Sequence, residues 1–143
     1  MNTQGTKTTS FPEADGVPVL VVDDDARIRQ AVQWTLEDEG LTVLVAADGR
    51  QAEQRAAERT PAVVVLDMGL PDLDGASLAA RLRQRCGAEL PILLITADGR
   101  AREKAGLTGA YAYLSKPFQM DELVRLVRVA VPDGGTGEPL EAR

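Results

Sequence analysis

Apolar positions along the chain fall into two kinds of run. Five are short and unbroken: Pro18–Val22 (PVLVV), Thr42–Ala46 (TVLVA), Val63–Leu66 (VVVL), Ile92–Thr96 (ILLIT) and Ala112–Ser115 (AYLS). Their brevity and their β-branched residues predict strands buried on both faces. The segments between them carry helical spacing instead: Ile28, Val32 and Leu36 after the first run, Ala52 and Ala56 after the second, Leu78 and Leu82 after the third, and Leu123, Leu126, Val127 and Ala130 after the fifth. Asp25, Asp48 and Asp74 stand where these helices would be capped, and Gly40 and Gly87 where they would stop. Strand and helix therefore alternate five times. This (βα)5 pattern predicts an α/β domain with a doubly wound, five-stranded parallel sheet, helices on both faces and functional residues at the carboxyl ends of the strands.

Composition narrows the chemistry. At 143 residues, with 44% hydrophobic and 27% charged positions, the chain has the makings of one soluble domain. The polar segments 1–16 and 132–143 read as flexible N- and C-terminal tails, which leaves 17–131 as the domain. Sixteen basic against 22 acidic side chains give a net charge of −6, which argues against a free-standing nucleic-acid binder. Cys86 is the single cysteine and histidine is absent, so an intrachain disulfide, a Cys-rich zinc site, a Ser/His/Asp triad and a phosphohistidine of the chain's own are all ruled out. No apolar stretch approaches the ~18 residues of a membrane span, and the start of the chain lacks the features of a signal peptide, so no membrane contact and a cytoplasmic location are expected.

Carboxylates, a hydroxyl and a lysine remain, and they collect at the strand ends. The first strand runs into Asp23, Asp24 and Asp25, the third ends at Asp67, the fourth at Thr96, and the fifth runs into Lys116 and Pro117. Several carboxylates on one sheet edge repel unless a cation joins them, and all-oxygen ligation suits Mg²⁺. A hydroxyl and a lysine facing the same pocket are the groups that would hold phosphoryl oxygens.

The segments LVVDDDARIR, VVVLDMGLPDLDG, ILLITA and YLSKPF, in this order at these strand ends, resemble the receiver domain of bacterial two-component response regulators over residues 17–131. The resemblance implies a flavodoxin-like (CheY-like) sheet in the order 2-1-3-4-5. It implies that Asp67 is the phosphoacceptor, and that Mg²⁺, with Mn²⁺ as a substitute, is held by Asp23, Asp24, Asp67 and the backbone carbonyl of Gly69. Asp24 would be the direct ligand of the acidic pair and Asp23 would act through water, whereas Asp25 reads as a helix cap. Thr96 and Lys116 would contact the phosphoryl group, a cis Lys116–Pro117 bond is implied, and Tyr113 matches an aromatic switch. Tyr111 reads as a surface aromatic.

The function so implied is that of a phosphoacceptor signalling domain rather than an enzyme, with at most self-phosphorylation from small phosphodonors and autodephosphorylation. Its partners would be a sensor histidine kinase or phosphotransfer domain and a downstream protein target, and the domain would be a monomer or a phosphorylation-dependent dimer. A stand-alone switch is expected, with a phosphoryl shuttle or a receiver fragment of a longer regulator as alternatives. Thr96 and Tyr113 are 17 residues apart, short for the family. The fourth helix is therefore expected to be shortened and weakened by Gly99, Gly106 and Gly109, each costing about 1 kcal/mol against alanine in a helix interior. In the fifth helix, Val124 and Val131 form a second apolar strip that either widens the buried face or serves as a contact surface. A flavin carrier of the same layered fold is disfavoured because Asp23–Asp25 would repel a phosphate. An aspartate-based Mg²⁺ phosphatase is disfavoured because Gly69 stands where its second aspartate would be. An inactive pseudo-receiver is disfavoured because every phosphorylation residue is present.

Overall fold

The computed structural model describes residues 17–131; the expected tails 1–16 and 132–143 lie outside the described residues. Strands β1 (Pro18–Val22), β2 (Thr42–Ala46), β3 (Val63–Asp67), β4 (Ile92–Thr96) and β5 (Ala112–Ser115) alternate with helices α1 (Ala26–Asp38), α2 (Gly49–Glu58), α3 (Gly75–Cys86), α4 (Ala101–Thr108) and α5 (Met120–Ala130). Asp25, Asp48 and Asp74 cap α1, α2 and α3, their carboxylates accepting from backbone amides of the first turn. Such caps satisfy amides that have no partner within the helix. Gly40, just past α1, and Gly87, at the end of α3, both have positive φ.

All strand pairs are parallel, in the order β2-β1-β3-β4-β5. Alternate strand residues face opposite layers, as a period of two requires. Leu20, Val22, Val64, Leu66, Ile92 and Leu94 pack beneath α2, α3 and α4. Val19, Val21, Val65, Leu93 and Ile95 pack beneath α1 and α5. The central β3 and β4 are buried throughout, but the edges differ from the expectation of strands buried on both faces: β2 is half-buried along most of its length and β5 buries only Leu114. Each edge strand has a neighbour on one side only, so the flanking helices cover it less completely.

One further expectation is corrected. Only Gly106 lies inside α4: Gly99 precedes the helix with φ +78°, and Gly109 ends it in the left-handed conformation with φ +69°. Two of the three glycines thus shape turns that other residues rarely adopt, instead of weakening a helix. Val124 and Val131, both half-buried, pack against the core beneath α1 and α5, which favours the widened buried face of the two readings of this strip. The exposed apolar residue of α5 is Val129, at 72%.

Candidate functional site

Strand order reverses between β1 and β3, and the crevice at such a reversal is where doubly wound sheets place their ligands. Asp23 and Asp24 follow β1 and Asp67 ends β3, one on each side of it. Asp23 is held firmly. Its amide donates to the Ala46 carbonyl at 3.1 Å, its Oδ1 accepts from the Asp25 amide at 2.9 Å, and its carbonyl accepts from the Arg29 guanidinium at 2.8 Å. Asp24 is exposed, and Asp67 is buried with its Oδ1 accepting from the Gly69 amide at 3.1 Å. Asp25 faces its own helix, its Oδ1 taken by the amides of Arg27 at 3.0 Å and Ile28 at 3.4 Å.

Lys116 closes the site from β5. Its amide donates to the Thr96 carbonyl at 2.8 Å, and its Nζ lies 3.3 Å from Asp23 Oδ2 and 3.4 Å from Asp67 Oδ2. The Lys116–Pro117 peptide is cis, as the resemblance implied. Burial raises the Asp23 carboxyl to about 6; Asp67's charge adds to this, and the Asp25 amide and Lys116 oppose it. Burial pulls the Lys116 ammonium down, but Asp23 and Asp67 outweigh it and the net shift is upward. Two carboxylates and one ammonium leave net negative charge in a partly dehydrated pocket.

The donor set fits a hard divalent cation. One carboxylate oxygen from each of Asp23, Asp24 and Asp67 lies within 4.8 Å of the others. Among the described residues, Asp23 Oδ2 is the buried side-chain polar atom without an aligned hydrogen bond; the Lys116 ammonium at 3.3 Å is an ion pair by distance only. An orphaned carboxylate oxygen beside two further carboxylates is the coordination chemistry that Mg²⁺ uses.

The rest of the pocket, about 270 Å³, is walled by Gly69, Thr96, Ala97, Asp98, Lys104 and Lys116 above Asp24 and Asp67. A Cβ added at Gly69 would sit 3.7 Å from Asp67 Oδ1, so a side chain there would begin in contact with the carboxylate. The loop carrying Gly69 is anchored at both ends: the Met68 amide donates to the Ile95 carbonyl, and Asp72 accepts from the amides of Gly49 at 2.8 Å and Arg50 at 3.1 Å at the start of α2. Sequence reasoning did not assign Lys104, Arg29 or Asp72 to the site. Each is a charged residue on a helix or loop with no spacing to mark it, and only the fold brings it near the strand ends.

Tyr113 and Tyr111 flank Ala112 on β5. Tyr113 is 42% exposed and lines a groove between α4 and α5 with Ala105, Gly106, Glu122 and Leu126. Tyr111 is exposed, as expected of a surface aromatic, and its hydroxyl donates to the Leu126 carbonyl at 2.7 Å.

An acidic cluster, a buried aspartate, a hydroxyl and a lysine thus meet at the switch point of a 2-1-3-4-5 sheet. The response regulator receiver domain family matches residues 19–128, and the chain belongs to it. Response regulator MprA of Mycolicibacterium vanbaalenii is 43% identical over 128 residues, 85% of this chain and 55% of that protein. The transcriptional regulatory protein KdpE of Mycobacterium tuberculosis is 37% identical over 123 residues, 86% of this chain and 54% of that protein. The chain thus spans about half the length of these relatives. Among solved structures, the chemotaxis protein CheY4 of Vibrio cholerae superposes with a TM-score of 0.75 at 33% identity, covering 81% of this chain and 99% of that one. Receiver domains generally bind Mg²⁺ at an acidic pocket and interact with histidine kinases or phosphotransfer proteins. Among the described residues, no helix is long and apolar enough to cross a membrane.

Proposed function

We propose that Asp67 accepts a phosphoryl group from a phosphohistidine on a partner kinase or phosphotransfer domain, and that the modification switches a protein-binding surface. The observation that carries this reading is the convergence of Asp23, Asp67 and Lys116, with the ammonium 3.3 and 3.4 Å from the two carboxylates. An Asp67 carboxylate oxygen attacks phosphorus, the phosphorus–nitrogen bond breaks, and the imidazole leaves with its electron pair and takes up a proton. Lys116, already among carboxylates, offsets charge on the transferring oxygens. Asp23, Asp24, Asp67 and the Gly69 carbonyl would hold Mg²⁺, which when bound neutralises phosphoryl charge. The product carries about two negative charges. Those charges draw the Thr96 hydroxyl toward the phosphoryl group, and the exposed Tyr113 ring follows into the space it leaves.

The outward Tyr113 beside the α4–α5 groove favours a switch acting on a protein target over a phosphoryl shuttle. Incubating the chain with acetyl phosphate and Mg²⁺ should add one phosphoryl group, located at Asp67 by mass spectrometry. A chelator or Asp67→Asn should abolish it; label retained in that variant would overturn the assignment.

A further inference from the structure

The Thr96 hydroxyl has one proton to give, and here it is already committed. Thr96 Oγ1 donates to Asp98 Oδ1 at 3.1 Å and accepts, at 3.4 Å, from the Asp98 amide. Asp98 is fixed in turn. Its Oδ1 also accepts from the Arg100 amide at 3.0 Å, and its Oδ2 pairs with the Lys104 ammonium on the first turns of α4. That ammonium, followed by the Arg100 amide, holds the Asp98 carboxyl down at about 2.

We propose that Asp98 and Lys104 form a latch that holds the Thr96 hydroxyl away from the phosphoryl site and ties its release to helix α4. The proposal rests on the phosphoacceptor reading of Asp67 and deepens it. Both latch residues wall the same pocket as Asp67 and Lys116. A phosphoryl group in that pocket presents acceptor oxygens that compete with the Asp98 carboxylate for the Thr96 proton and for the Lys104 ammonium. It also repels the Asp98 carboxylate, so the charge that attracts the hydroxyl weakens the bond that retains it. When Thr96 turns, Asp98 loses one partner, and when Lys104 is drawn off it loses the other. The first turns of α4 are then released from the end of β4. Asp98 and Lys104 are positioning residues that set how much of the energy of phosphorylation goes into opening the latch.

The test is a double-mutant cycle on the full chain with beryllofluoride and Mg²⁺, affinity being read by fluorine NMR. Asp98→Ala frees the Thr96 proton and also removes a negative charge and its contacts to Arg100 and Lys104, whereas the same change in a Thr96→Val background makes all of these changes except the release of the hydroxyl. The gain in affinity should be about two- to tenfold larger with Thr96 present, the worth of one net hydrogen bond. Equal gains in the two backgrounds overturn the latch. Hydrogen exchange supplies a second readout that leaves Asp98 intact: Lys104→Met should speed exchange of the α4 amides in the unmodified chain, as beryllofluoride does in the wild type. Unchanged α4 exchange in Lys104→Met also overturns it. If beryllofluoride fails to bind the wild type, or binds Asp67→Asn as well, the phosphoacceptor reading fails; if binding depends on Asp67 and the cycle shows no coupling, only the latch does.

Discussion

The Asp25 carboxylate takes no place in the acidic cluster, because its Oδ1 accepts from the amides of Arg27 and Ile28, whereas the adjacent Asp24 offers an oxygen to the cluster with Asp23 and Asp67. Asp25→Ala should therefore lower stability by about 1 kcal/mol in urea titration and leave Mg²⁺ affinity near wild type. Asp24→Ala should do the reverse, and calorimetry of both separates the roles. Asp23 makes a pH-dependent contribution of its own. Its folded pKa of about 6 lies above the ordinary 3.8, so between these values the folded chain holds a proton that the unfolded chain has lost. Stability contributed by this group thus falls as pH rises through that window, and the cost is fully present above pH 6. Without Mg²⁺, Asp23→Asn should stabilise the chain by on the order of 1–3 kcal/mol at pH 7 and hardly at all below pH 4. A gain independent of pH would show that burial of charge is not its origin. That Asp67, Asp23 and Lys116 stand together at the strand ends was legible from residue type and position. Lys104 was not, because its partner Asp98 is six residues away, across a turn made by Gly99.

Helix α4 is the least self-sufficient element, eight residues long with no side-chain cap at its start. Its ends are held from outside. Lys104 ties the beginning to Asp98, and Arg83 of α3 reaches the carbonyls of Thr108 and Gly109 at its end, with Nη2 to Gly109 at 3.1 Å. A cation on the last carbonyls satisfies acceptors that the helix leaves unpaired and meets the negative end of its dipole. Arg83→Ala should cost about 1–2 kcal/mol and speed hydrogen exchange in 101–109 more than in α3. Uniform acceleration would mean that Arg83 acts on the whole fold. The glycines around α4 were visible in the sequence. That two of them make turns and that a neighbouring helix supplies the cap depended on where α3 and α4 meet.

At the scale of the whole molecule, the sheet separates two apolar layers, and the face of α5 turned to β5 and α1 is broader than one stripe. Val124 and Val131 belong to that layer. Val124→Glu combined with Val131→Glu should lower the urea midpoint, by about 1–2 kcal/mol for each residue, and leave the sedimentation coefficient of the folded protein unchanged. A stable variant with altered self-association would instead make the strip a contact surface. The exposed Trp34, at 62%, is a poor reporter of this core, so circular dichroism should follow the transition.

The sequence by itself determined the alternation of five strands and five helices, the capping aspartates and the strand-end positions of Asp23, Asp24, Asp67, Thr96 and Lys116. These are written in local periodicity and in residue types whose backbone preferences act within a few positions. Only the tertiary structure decided that Lys116 stands 3.3 and 3.4 Å from Asp23 and Asp67, that Asp23 Oδ2 is buried without an aligned hydrogen bond, and that Val124 and Val131 pack half-buried against the core. It also decided that Arg83 of α3 reaches the carbonyls at the end of α4. Burial and pairing between distant segments depend on how β3, β4, β5 and the helices stack, and no run of neighbouring residues encodes that.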